Sequence, residues 1–211
     1  MTTQNEPKTE GRVARRQKRN RRALIDAARR IMSEKGIDAA TMLEIAEAAD
    51  VGAGTVYNYF KSKEDLAIAV LEELMHELAI RIEKVTDTFE DPAQVYAFGI
   101  RTVIDTATQD PRWRQLLYRS EVIADAAYHQ KGPFAIRDME NATRAGRFRV
   151  TDAPLTWKMA CHAIVGVALA VTQETLSPEV VDETVIRLLC MTGIGLDEAR
   201  DLAMRERPAL P

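Results

Sequence analysis

The 211-residue sequence predicts an all-α fold, and three observations carry that prediction. Apolar residues recur at steps of three and four over most of the chain. No stretch sustains the apolar–polar alternation of a half-buried strand. Helix-length segments are separated by breaks at Asp91-Pro92, Asp110-Pro111, Gly132-Pro133, Gly146, Ala153-Pro154 and Ser177-Pro178.

Composition bounds the function classes. At 23.6 kDa the chain suits a small domain fused to a larger one. No apolar run approaches the roughly 20 residues of a membrane span, and the first 30 residues are charged, unlike a signal peptide. A cytoplasmic protein without a membrane partner is expected. Cys161 and Cys190 lie far apart and lack metal-ligand spacing, so buried free thiols are expected rather than a zinc site or disulfide framework. His76, His129 and His162 have no neighbouring acid or thiol pattern. With no nucleophile elbow, phosphate loop or paired carboxylates, neither an enzyme, a metal site nor a cofactor is expected.

Charge is unevenly distributed. Residues 1–22 hold eight basic side chains against two acidic ones, a net +6, which leaves −9 for the rest of a chain whose total is −3. A basic arm on an acidic body points to a polyanionic partner at one end. From Arg15 the arm enters a helical pattern of Ala23, Leu24, Ala27, Ala28, Ile31 and Met32, closing at Lys35-Gly36, where glycine suits the position after a helix. Basic and apolar faces thus share one helix.

The next helix opens at Thr41, an N-cap with Glu44 completing a capping box, and ends near Ala49. Asp50 tolerates a left-handed turn. A second short helix is expected from Gly54 to Phe60. Two short helices joined by a tight turn, with Ala46 small at the crossing and Ile45, Ala49, Val51, Val56 and Tyr59 at buried positions, form a helix-turn-helix.

The segment "EKGIDAATMLEIAEAADV", followed by "GTVYNYFKSKEDL", resembles the tetracycline-repressor (TetR) family of bacterial transcriptional regulators over roughly residues 20–70. The resemblance implies three regions: a basic flexible arm at 1–18, a three-helix DNA-binding domain at 19–65 with its motif at about 41–60, and a helical ligand-binding and dimerisation domain at 66–211. It lays the second motif helix in the major groove of an operator. Arg15, Arg16 and Arg19 of the arm, Thr41, Leu43, Ala53, Gly54, Thr55, Tyr57, Asn58, Tyr59 and Lys63 are then the candidate DNA contacts. Asn58 suits adenine and Thr55 a thymine methyl, whereas Thr41 and Lys63 suit phosphates. Tyr57 is read mainly as a contact and Tyr59 mainly as core. Where the family commonly carries polar side chains, Leu43, Gly52 and Ala53 are apolar or bare, which leaves more of the specificity to methyl contacts, DNA shape and the arginine arm.

Beyond Lys63 a stripe of Leu66, Val70, Leu74, Leu78, Ile82 and Val85 predicts one long helix. Further helices are expected at 93–109, 112–125, 134–145, 154–174 and 179–193, with a short one at 197–206. Tyr96, Phe98, Trp113, Leu117, Tyr118, Phe134, Met139, Trp157 and His162 fall on helices able to surround a largely apolar effector, although each also suits plain core. By resemblance the last two long helices form a homodimer interface, here through Ala163, Gly166 and Ala170 on one and Val181, Val185, Leu188 and Leu189 on the other. Intrachain packing is the alternative. The expectation is a homodimeric repressor released from a palindromic operator by a small molecule. An activator or ligand-independent regulator of the same fold, or a helical interaction protein, remains the alternative.

Overall fold

The computed structural model describes residues 11–110, Trp113 and 120–211, with 120–131 described by backbone alone. Among these residues the structure is all-helical, and it divides in sequence at Val70 and Leu71 into two compact units.

In the first unit, α1 spans Arg12–Lys35, α2 Met42–Ala48 and α3 Ala53–Val56. Leu24, Ile25, Ala28 and Met32 line the buried face of α1, and Ile45, Ala46 and Val56 complete a core closed to solvent. Helix α1 begins before the expected Arg15, so residues 12–18 of the expected flexible arm are helical. Arginine, lysine and glutamine are good helix formers, and extending a helix already nucleated by its apolar half needs no new nucleus. Gly36 closes α1 at φ 85°, its N–H donating to the Met32 carbonyl at 3.0 Å.

The Thr41 hydroxyl accepts the Glu44 N–H at 3.2 Å. Lys35, at 2.5 Å, holds the Glu44 carboxyl below the usual carboxylate range, and the Thr41 N–H adds to this, closing the capping box. Asp50 takes the expected left-handed conformation at φ 53°. Helix α4, Lys63–Thr86, carries no glycine or proline and runs through the Val70–Leu71 division. Ser62 caps it by accepting the Asp65 N–H at 3.0 Å.

The second unit adds α5 (Pro92–Gln109), α6 (Ser120–Arg144), α7 (Ala153–Thr172), α8 (Val180–Cys190) and α9 (Leu196–Met204). Helix α5 packs against α6, α7, α8 and α9, while α6 packs on α7, α7 on α8 and α8 on α9. Asp91 and Asp152 cap α5 and α7, accepting the Ala93 N–H at 2.9 Å and the Leu155 N–H at 2.8 Å. Asp91 also accepts two hydrogen bonds from Arg147, each 3.0 Å long, and Arg147 reaches Glu198 of α9 at 2.6 Å. Arg147 and the Ala93 N–H hold the Asp91 carboxyl below its ordinary range.

The expected break at Gly132-Pro133 is absent: α6 passes through it. Proline removes one helical hydrogen bond, while Met139 and Ala142 on the same helix are fully buried, and that packing outweighs the loss. The expected helix at 112–125 lies largely outside the described residues. One glycine is demanded by the fold itself. Gly193 has φ +89°, and a Cβ there would lie 2.9 Å from that of Arg149.

Helix α7 corrects another expectation. By length and composition alone it is apolar enough to cross a membrane, with Lys158 its one charged residue. One face, through Trp157, Ala160, Cys161, Ile164 and Ala168, is buried in the unit's own core. The other exposes Leu155, Met159, His162 and Gly166.

Candidate nucleic-acid interface and internal cavity

The motif presents a compact exposed surface. Thr41, Leu43, Ala53, Gly54, Tyr57 and Asn58 are exposed, and Thr55, Tyr59 and Lys63 half-buried. Tyr57 is 57% exposed and Leu43 55%, a costly way to leave large side chains unless something covers them. Tyr59 turns further inward, in line with its expected core role.

The expected helix Gly54–Phe60 is shorter and starts earlier. Helix α3 ends at Val56, and the chain continues as a turn in which the Asn58 and Tyr59 N–H groups donate to Thr55 and Val56 carbonyls, both at 3.0 Å. Gly54, Thr55, Tyr57 and Asn58 are weak helix formers, so anchoring falls to buried Val56 and Phe60. The Arg21 guanidinium lies 5.3 Å above the Phe60 ring. Nothing within 4 Å would meet a Cβ at Gly54, and its φ is not positive. The chain's own packing therefore does not require glycine there.

Arg15, Arg16 and Arg19 are exposed along the first turns of α1. The Lys63 ammonium donates to the Asp38 carbonyl at 2.8 Å, tying the loop before α2 to the start of α4. This structural bond was not foreseen, and an ammonium retains two further N–H donors.

In the second unit, α4, α5, α6 and α7 enclose a cavity of about 50 Å³. Ala79, Ile82, Ile100 and Val103 give it aliphatic walls, and Tyr96, Phe134 and Trp157 aromatic ones. Arg137 lies at one side, 2.8 Å from Glu83 and 2.9 Å from Asp138, with its guanidinium 5.5 Å from the Phe134 ring centre. Burial raises the Asp138 carboxyl above its usual range, with Arg137 acting against that shift. Burial, with Cys161 nearby, pushes the Tyr96 hydroxyl well above its ordinary range, and burial lifts the Cys161 thiol to about 12. Both stay neutral at physiological pH.

Comparison with known proteins fixes the lineage. Residues 24–70 match the family described as bacterial regulatory proteins, tetR family, and residues 91–205 match the tetracyclin repressor-like C-terminal domain. The chain belongs to the tetR family of bacterial regulators. The transcriptional repressor KstR of Mycolicibacterium smegmatis is 30% identical over 111 residues, 53% of this chain and 54% of that protein. The regulator BetI of Rhizobium meliloti is 45% identical over 58 residues, 28% of this chain and 29% of its own. The chain spans about half the length of KstR and under a third of BetI. Among solved structures, RolR with its ligand resorcinol superposes with a TM-score of 0.85 at 28% identity, covering 94% of this chain and all of RolR.

In this TetR-family chain, the expected cavity residues separate into groups. Tyr96, Phe134 and Trp157 line one cavity. Trp113, Phe98 and Met139 are buried but do not line it. Leu117 and Tyr118 lie outside the described residues. His162 is a correction: it is exposed on the outer face of α7, its Nδ1 2.8 Å from the Lys158 carbonyl. Glu83, Arg137 and Asp138 were missed, because i,i+1 charges on a helix look like solvated surface in sequence. Only the packing of α6 beside α4 shows that Arg137 joins two carboxylates at a cavity.

The expected interface also divides. Gly166 is exposed, with open space where a Cβ would stand, and Ala163 and Ala170 are half-buried. Val181, Val185, Leu188 and Leu189 are instead core residues of their own unit, at most 5% exposed. Their periodicity marked an apolar face correctly, but α5, α7 and α9 already cover it.

Proposed function

We propose that the chain is a homodimeric, ligand-responsive transcriptional regulator that binds a palindromic operator and is released by a small molecule. The exposed motif surface carries this reading: Tyr57, Asn58 and a bare Gly54 beside an exposed arginine face suit groove and phosphate contact. The name of KstR supports repression as the sign. RolR, whose ligand is resorcinol, supports a small-molecule effector in the second unit. The exposed apolar face of α7, with Met191 at 40% exposure, supports pairing of two copies. Two recognition segments about 34 Å apart then read successive half-sites.

Release follows as a population shift. Helix α4 contributes Ala79, Ile82 and Glu83 to the cavity and Leu66 to the first unit's core. An effector that favours a state without half-site spacing lowers operator affinity by its differential affinity for the two states. The test is to select an operator from a random duplex library, then measure affinity with and without saturating effector. The expected result is a fall of about 5- to 150-fold, the usual range of coupling. Unchanged affinity overturns release while leaving DNA binding intact.

A further inference from the structure

Two side chains that line the cavity carry polar atoms with no hydrogen-bond partner among the described residues. The Tyr96 hydroxyl and the Trp157 indole N–H are buried without one among the described residues, on side chains that are 3% and 4% exposed. Buried polar groups are almost always satisfied, so two unpaired groups on side chains that line one cavity call for a partner. Both residues line the cavity. The indole N–H can only donate, whereas the hydroxyl can do either.

The remaining lining narrows what fits. One water needs roughly 10–15 Å³ of such space, so about 50 Å³ takes roughly three to five water-sized groups as it stands; a single hydroxylated ring needs the walls to give, and an acyl chain needs far more space. Among the described lining residues Glu83 and Asp138 share one Arg137, a net negative charge that disfavours a carboxylate ligand. Asp138 offers an acceptor to a ligand hydroxyl. Phe134 supplies an aromatic wall.

We propose that the effector is a small, uncharged, hydroxylated aromatic ring, held through its oxygen by the Trp157 N–H and the Tyr96 hydroxyl. This rests on the ligand-responsive reading above and names the chemistry of that site. The aromatic body fills the apolar walls, and the hydroxyl satisfies the two orphaned groups. A hydrocarbon of equal size leaves them unpaired, which is the usual origin of strong discrimination for a hydroxyl.

The experiment is calorimetric titration of the full-length protein with resorcinol, phenol, toluene and benzoate, repeated on Tyr96→Phe and Trp157→Phe. Resorcinol or phenol is expected to bind saturably, with toluene and benzoate at least ten-fold weaker. Each substitution should weaken the hydroxylated ligand about ten-fold and leave toluene unchanged. Tyr96→Phe removes a hydroxyl with no partner among the described residues, so the Tm of the free protein should hold or rise while the shift on adding resorcinol shrinks. This separates ligand contact from a structural role and serves if Trp157→Phe fails to fold.

The proposal is overturned if neither hydroxylated ring binds, if toluene or benzoate binds as tightly, or if Tyr96→Phe binds like the parent. Operator release distinguishes the two readings. If resorcinol or phenol binds as expected but leaves operator affinity unchanged, the ligand class stands and release fails. If another compound releases DNA equally from the parent and both variants, release stands and the ligand class is overturned.

Discussion

Gly54 and Asn58 are four residues apart, yet their side chains make opposite demands. Asn58 is exposed, with an amide able to pair with an adenine edge, so on the proposed reading its removal is expected to act on one base position. Gly54 offers only open space, and on the proposed reading filling it is expected to affect every sequence alike. Asn58→Ala is expected to reduce discrimination at one position by about 1–3 kcal/mol. Gly54→Leu should weaken all duplexes while thermal stability stays within about 0.5 kcal/mol, as for a surface change. Binding measured on the selected operator, its single-base variants and unrelated DNA checks both. Undiminished affinity in Gly54→Leu rules out close approach of DNA at that position.

Most elements were legible because their signals are local. Thr41 with Glu44, Lys35-Gly36, Asp91-Pro92 and Asp152 each fix a helix end through bonds made within a few residues. Where tertiary packing decides, the sequence was silent or misleading. Gly132-Pro133 reads as a break, but it is overruled by what α6 buries. Val181 to Leu189 read as an interface because an apolar face does not say which helix covers it. The exposed residues of the motif were visible by its pattern, whereas Glu83, Arg137 and Asp138 needed a fold to bring α4 and α6 together.

One such long-range tie carries its own prediction. Asp91 joins the start of α5 to Arg147 and, through it, to α9. Its carboxyl is held below its ordinary 3.8, so the stabilisation is fully present above that value and is lost as pH falls through the lower folded-state value. Asparagine keeps the cap but not the charge. Asp91→Asn should cost about 1 kcal/mol at pH 7, and the difference from the parent should shrink progressively below about pH 4. Urea denaturation at pH 7 and in acid measures it.

At the scale of the whole molecule, the proposed assembly depends on one uncovered face. Gly166 sits on α7 with nothing among the described residues within 4 Å of where a Cβ would stand, and Leu155 and Met159 continue the apolar surface at 56% and 54% exposure. An arginine at 166 has open space for its Cβ among the described residues and places a charge where a second α7 is expected to approach. Gly166→Arg should therefore sediment as a folded monomer. Its operator affinity should fall by roughly 10²–10⁴-fold, since two linked half-site contacts become one. A dimer that persists with parental affinity moves the interface elsewhere.

Gly193 and Gly54 also divide the chain's history into two kinds of constraint. At 193 the left-handed backbone and the Arg149 side chain forbid a Cβ whatever the protein binds, so inheritance there follows the fold. At 54 nothing among the described residues stands within 4 Å of a Cβ, so the fold itself leaves that position open to a side chain. A change at 193 is therefore expected to show in folding, and a change at 54 in what the surface can approach.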